Sequence, residues 1–137
     1  MSVSLLLITH NNIGQELLKT AKTTFGCLPL LVETIAVLPT SSPESLLPKI
    51  QRVADRLAKD TELLILTDAF GSTPSNLALA LKGANQSFQV IAGLNLPMLI
   101  RIMNYPHLSL ELLIDKAING GREGILLCPH DNQPLNH

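Results

Sequence analysis

The sequence predicts an α/β fold, a three-layer sandwich whose central sheet is mostly parallel with strand order 2-1-3-4, with one further strand at its C-terminal end. Three observations point there. Short aliphatic runs of strand length alternate with amphipathic stretches of helix length, which calls for helices on both faces of a parallel sheet joined by right-handed crossovers. The 137 residues suit one domain with a sizeable core. Hydrophobic residues make up 46% but aromatics only 3%, so that core must be built from Leu, Ile, Val and Ala.

The elements are read in chain order. Val3 to Ile8 is a continuous apolar run and reads as a buried strand. Ile13 to Phe25 reads as a helix with Ile13, Leu17, Ala21 and Phe25 on one face, stopped by Gly26. Leu31 to Leu38 is the second strand, and Pro39 to Pro43 a turn. Leu46, Ile50, Val53 and Leu57 then mark a second helix. Pro48 belongs in a first turn, which makes Ser45 the expected N-cap. Leu63 to Leu66 is the third strand, and Pro74 to Lys82 a helix with proline at its favoured start. Phe88 to Ala92 is the fourth strand. Asn95 and Pro97 open a short helix through Met103, which Pro106 interrupts. Ser109 caps a last helix with Leu110, Leu113, Ile114, Ala117 and Ile118 on one face, ended by Gly120-Gly121. Gly124 to Cys128 reads as a fifth strand. The domain is thus expected to span residues 1–128, with a frayed polar tail over 129–137.

Composition narrows the function. The formal net charge is −1 with no basic run, and aromatics are few, so neither a phosphate-backbone footprint nor a base-stacking surface for nucleic acid is present. The first apolar run is too short to span a bilayer and has no basic segment before it, so a strand is expected rather than a signal peptide, and a cytoplasmic location with it. Cys27 and Cys128 form neither a metal spacing nor a redox motif, and two reduced, buried small residues are expected. No His/Cys/Asp/Glu group has metal spacing, and the nucleotide signatures GxGxxG and the P-loop are missing.

In open α/β sheets ligands bind beyond the carboxyl ends of the strands, where strand order reverses. With order 2-1-3-4 that point lies between strands one and three. Strand one ends in Ile8-Thr9-His10-Asn11-Asn12, and strand three in Thr67-Asp68-Ala69-Phe70-Gly71-Ser72-Thr73-Pro74. One His and one Asp therefore occupy neighbouring strand ends. A carboxylate on one imidazole nitrogen fixes ring and tautomer and leaves the other nitrogen as a nucleophile. Gly71-Ser72-Thr73 runs straight into a helix, whose N-terminal N–H groups bind anions. Gly71 permits close approach, and the hydroxyls of Ser72 and Thr73 can donate to phosphoryl oxygens. Each residue singly also has an ordinary reading: His10 as a polar loop residue, Asp68 as a turn former, Thr73 as an N-cap. Together, at the switch point, they form a candidate phosphoryl-transfer site. His107, His130 and His137 fall in a turn and in the tail and are expected to face solvent.

At these residues the chain resembles the IIA component of the mannose-family phosphoenolpyruvate-dependent sugar phosphotransferase system, of mannose/fructose/sorbose type. Leu7-Ile-Thr-His-Asn-Asn-Ile-Gly-Gln-Glu-Leu-Leu18 is similar to the family's first strand, active histidine and first helix. Leu66-Thr-Asp-Ala-Phe-Gly-Ser-Thr-Pro-Ser-Asn76 is similar to its aspartate, glycine and small-hydroxyl segment. Ala92-Gly-Leu-Asn-Leu-Pro-Met-Leu99 and Gly121-Arg-Glu-Gly124 resemble its C-terminal half. The resemblance implies that His10 is phosphorylated, that Asp68 is its hydrogen-bond partner and that Thr73 holds the position of the family's serine. It implies HPr as phosphoryl donor, a IIB component as acceptor, and a membrane permease reached only indirectly. No metal or nucleotide cofactor is implied. It also implies a homodimer whose last strand runs antiparallel and is exchanged between subunits.

Two departures from the family pattern bear on the output and on partner choice. Some members continue through an Ala/Pro-rich linker into IIB, whereas this chain stops at His137, so a separate IIB is expected, or none, with a regulatory output. Ser72-Thr73 stands where Gly-Ser is common, which can shift donor or acceptor preference. Alternative readings are a phosphotransfer subunit of a dihydroxyacetone kinase, a non-catalytic regulatory module read by its phosphorylation state, and a flavodoxin-like ligand-binding domain. The last is disfavoured by the few aromatics and by His10 at the switch point.

Overall fold

Four aliphatic runs form one parallel sheet, and five amphipathic stretches form the helices that cover it. A computed structural model describes residues 2–129. Its elements are β1 (Val3–His10), α1 (Ile13–Phe25), β2 (Val32–Val37), α2 (Pro43–Leu57), β3 (Glu62–Thr67), α3 (Thr73–Ala84), β4 (Gln89–Ala92), α4 (Leu96–Met103) and α5 (Leu110–Glu123). The strand order is β2-β1-β3-β4, as the sequence predicts. Every pairing is parallel, with Ile8 opposite both Ile35 and Thr67, and Thr67 opposite Ala92.

Alternation along the strands splits the core into two halves. Leu5, Leu7, Leu64 and Leu66 face α1, α4 and α5, while Leu6, Ile8, Leu63 and Ile65 face α2 and α3. Both faces of β1 and β3 are fully buried, which is why these strands read as unbroken apolar runs. Each such leucine or isoleucine contributes about 1.5–3 kcal/mol of burial, the largest favourable term the chain has. Among the described residues no helix is long and apolar enough to cross a membrane.

Local chemistry sets most element ends. Gly26 takes φ 78°, and its N–H donates to the Lys22 carbonyl to close α1. Asn95 and Ser109 cap α4 and α5 through their side chains. At α2 the cap is Ser42 and not Ser45: the Ser42 hydroxyl accepts from the Ser45 N–H, and Pro43 takes the first helical position. Pro48 consequently lies inside the helix, where the missing N–H leaves one carbonyl of the opening turns without its usual donor.

Two expectations, the helix stop at Gly120-Gly121 and the burial of the cysteines, are corrected, and the strand expected over Gly124 to Cys128 is not seen within one chain. Gly120-Gly121 does not end α5, which continues to Glu123. The glycines serve helix packing instead: a Cβ on Gly120 would sit 2.5 Å from the Arg101 Cβ, and one on Gly124 would sit 2.4 Å from the Pro97 Cβ. Gly124 to Cys128 forms no strand among the described residues. An extended segment becomes a strand only when a neighbouring ladder takes its N–H and C=O groups, and within one chain this segment pairs with no strand. Ile125, Leu126 and Leu127 are left 76%, 56% and 88% exposed. Cys27 and Cys128 are both exposed rather than buried. They lie in the loop after α1 and in this unpaired segment, outside the core that composition alone suggests for small residues. Of the expected polar tail only Pro129 falls within the described residues.

Candidate functional site

His10 is the last residue of β1, and Asp68 follows the last residue of β3. Because β1 and β3 are hydrogen-bonded neighbours, the two side chains meet across the switch point. Asp68 Oδ2 accepts from the His10 backbone N–H at 3.0 Å and lies 2.8 Å from the ring Nδ1. Asp68 Oδ1 accepts from the Ala69 N–H at 3.0 Å. An ionised carboxylate can only accept, so the ring presents Nδ1–H to it, and the unprotonated lone pair resides on Nε2. The His10 side chain is 44% exposed and that of Asp68 only 11%, so the buried partner orients the accessible one. Burial by itself pushes the Asp68 carboxyl up. The ring and backbone hydrogen bonds from His10 and the attraction of the ring outweigh it, and the group titrates below the usual carboxylate range.

Two details of β1 hold the histidine in place. Thr9, fully buried, points to the opposite sheet face, where its hydroxyl accepts from the Gly14 N–H at 2.9 Å and caps α1 from the strand itself. Gly14 packs tightly there, since a Cβ would lie 3.2 Å from the Thr9 hydroxyl oxygen. Asn11 takes φ 47°, and its N–H donates to the Val37 carbonyl at 2.9 Å. Asparagine tolerates this left-handed conformation, and the chain can turn sharply just beyond the imidazole.

The loop after Asp68 ends in an open helix start. Gly71 has φ 83°. The Ser72 hydroxyl and N–H both donate to the Ala69 carbonyl, so Ser72 closes the loop and makes no side-chain cap on α3. The first helical bond of α3 runs from the Asn76 N–H to the Ser72 carbonyl. The N–H groups of Thr73 and Ser75 precede it, and Pro74 has none. Helices α2, α4 and α5 by contrast have side-chain caps from Ser42, Asn95 and Ser109. Thr73 is exposed at the first position of α3. The arrangement therefore offers a nucleophilic nitrogen, a buried carboxylate behind it, and an uncapped helix N-terminus that suits an anion.

The structure thus brings His10 and Asp68 together and sets Gly71, Ser72 and Thr73 on the loop that leads away from Asp68. His107 is exposed and remote in the fold, in the turn between α4 and α5. His130 and His137 lie outside the described residues. Sequence reasoning passed over Thr9 and Asn11, and it placed Ile13 on the buried face of α1, whereas Ile13 is 43% exposed at the helix start. Asn11 beside a strand end was the available signal for a left-handed turn. Among the described residues no three His, Cys, Asp or Glu side chains could hold a metal ion.

Comparison with known proteins finds a family model, a curated relative and solved structures similar to this chain. The family described as "PTS system fructose IIA component" (EIIA-man) matches residues 4–118. The mannose-specific EIIAB component of Escherichia coli K12 is 30% identical over 127 residues, covering 91% of this chain and 39% of that protein. This chain therefore spans about two fifths of the length of that relative. An EIIA component from Streptococcus agalactiae superposes with a TM-score of 0.76 at 26% identity, covering 90% of this chain and 95% of the other. A mannose/sorbose-specific IIA subunit from Enterococcus faecalis superposes with a TM-score of 0.85 at 22% identity over 98% of this chain and all of the other, which is a likeness of fold.

Proposed function

The chain belongs to the EIIA-man family of sugar phosphotransferase IIA components, and from that premise we propose that it is a phosphohistidine carrier that takes a phosphoryl group onto His10 and passes it on in sugar uptake or in regulation linked to it. The observation that carries the proposal is the 2.8 Å contact between Nδ1 of His10 and Asp68, which leaves Nε2 as the unprotonated nitrogen of a ring that is 44% exposed.

HPr is the proposed donor and a IIB component the proposed acceptor, both met in the cytoplasm. Nε2 attacks phosphorus as the phosphorus–nitrogen bond to the donor ring breaks. The bonding pair returns to that ring, which carries a proton on its other nitrogen and so departs as neutral imidazole. The positive charge appears on the His10 ring, opposite the Asp68 carboxylate, and no proton changes site. The N–H groups at the start of α3, the Thr73 hydroxyl and the backbone at Gly71 receive the phosphoryl oxygens, while Ser72 keeps the loop in shape. Such transfer draws on positioning and electrostatic stabilisation.

The proposal includes a homodimer. Ile125 to Leu127 form an exposed aliphatic strip at the end of the described chain, and such a strip is expected to be covered by another subunit, where it can run antiparallel to a sheet edge.

Incubation with phosphoenolpyruvate, enzyme I and HPr should give acid-labile label on the chain. His10→Ala should abolish it, and His107→Ala should leave it intact. Label that persists without His10 would overturn the assignment.

A further inference from the structure

We propose that Phe70 is the anchor by which a phosphohistidine-bearing protein docks over His10, on strand-end loops that are nearly free of charge. The inference rests on the phosphoryl-carrier reading and deepens it by assigning a residue to partner recognition.

Aromatic side chains are scarce here, with three Phe, one Tyr and no Trp. Phe88 is fully buried, and Phe25 packs against the core. Phe70 is 80% exposed, two residues after Asp68. Leu38, just past the end of β2, is 46% exposed, and Ile13, at the start of α1, is 43% exposed. Strands β2, β1 and β3 are consecutive in the sheet, so these three apolar side chains stand at the three adjacent strand ends around His10. The loops at the carboxyl edge comprise residues 11–12, 38–42, 68–72 and 93–95. Asp68 is their only Asp, Glu, Lys or Arg, and it is turned toward the imidazole.

Transfer chemistry determines what covers these loops. A phosphoryl group held on another protein's ring must come within bonding distance of Nε2, so the surface around that ring lies on the residues around His10. A small phosphoryl donor reaches the same nitrogen without touching the loops. An exposed phenylalanine two residues after the carboxylate that orients the imidazole offers a large rigid apolar area, the type of side chain that carries binding energy at the centre of interfaces. With almost no charge in these strand-end loops, docking at the loops depends on apolar contact rather than on electrostatic steering. The matching partner surface is apolar around its own phosphohistidine.

The test compares Phe70→Ala with the wild-type chain, using phosphorylated HPr as the protein donor and phosphoramidate as the small one. KM for phosphorylated HPr should rise about 10-fold with kcat little changed, Phe70→Leu should recover part of the loss, and labelling by phosphoramidate should match wild type. Raising salt from about 0.01 M to about 1 M, which cuts the Debye length from about 30 to about 3 Å, should change the wild-type HPr rate little. An unchanged KM for HPr, a steep salt dependence, or an equal fall with phosphoramidate would each overturn the proposal. So would loss of self-association in Phe70→Ala, which would assign the side chain to contact between copies of this chain. A wild-type chain that takes no label from either donor removes the carrier reading itself, and the anchor with it.

Discussion

Asp68 uses two oxygens to receive three donors, the His10 ring, the His10 backbone and the Ala69 backbone. Asp68→Asn keeps the size but replaces one acceptor with an NH2 group and removes the charge that balances a phosphorylated ring. A comparable change in a Ser-His-Asp triad lowers the rate about 10⁴-fold. Here the carboxylate only orients and balances the nucleophile, so a loss on the order of 10²-fold in the phosphorylation rate is expected. A rate equal to wild type would reduce Asp68 to a turn former. The same group makes a prediction about acid. Its carboxyl is held below the usual range in the folded chain, so the carboxylate stabilises the fold at pH above the unfolded value. That contribution is lost as pH falls through the lowered folded value. Unfolding midpoints of wild type and Asp68→Asn should converge over that acid interval, and a gap that stays constant would contradict the linkage. Both residues were legible in the sequence because each ends an apolar run. The Thr9–Gly14 cap and the left-handed Asn11 were not, since both depend on where α1 returns against the sheet.

The seam between α4 and α5 shows where local rules fail at the level of elements. A Gly-Gly pair late in a helix reads as a stop, yet α5 runs through it, because the missing Cβ atoms let the two helices approach. The contacts predict an ordering of variants. At Gly120 a new Cβ meets the Arg101 Cβ, which is fixed to backbone, so the helices must part at about 1–3 kcal/mol, more than the gain of about 1 kcal/mol in helix propensity. At Gly121 the nearest atom is the flexible Met98 Cε at 3.0 Å, and the propensity gain should offset the strain. Thermal unfolding should therefore show Gly120→Ala clearly destabilised and Gly121→Ala close to wild type. Equal shifts for the two would contradict the packing account. The same limit on local reading explains Ser42 and Ser45: two serines and two prolines offer competing helix starts, and only the tertiary placement of α2 selects between them.

For the whole molecule, the layer order and strand order were legible because alternation of strand and helix, together with right-handed crossovers, leaves few arrangements. The fate of Gly124 to Cys128 was not, since aliphatic composition there says that the segment must be covered but not by what. If a second subunit covers it, the full chain should sediment as a dimer at micromolar concentration, and deletion from Gly124 onward should give monomer or aggregate. A full-length monomer would contradict that. In the proposed carrier, one phosphoryl group is held on one ring nitrogen of His10. The most direct test is NMR of the uniformly ¹⁵N-labelled chain after phosphorylation through HPr, reading the phosphorus coupling on the His10 ring. The account predicts one phosphoryl group per chain, bonded to Nε2, with Nδ1 still protonated toward Asp68. Coupling at Nδ1, or at any histidine other than His10, would contradict it.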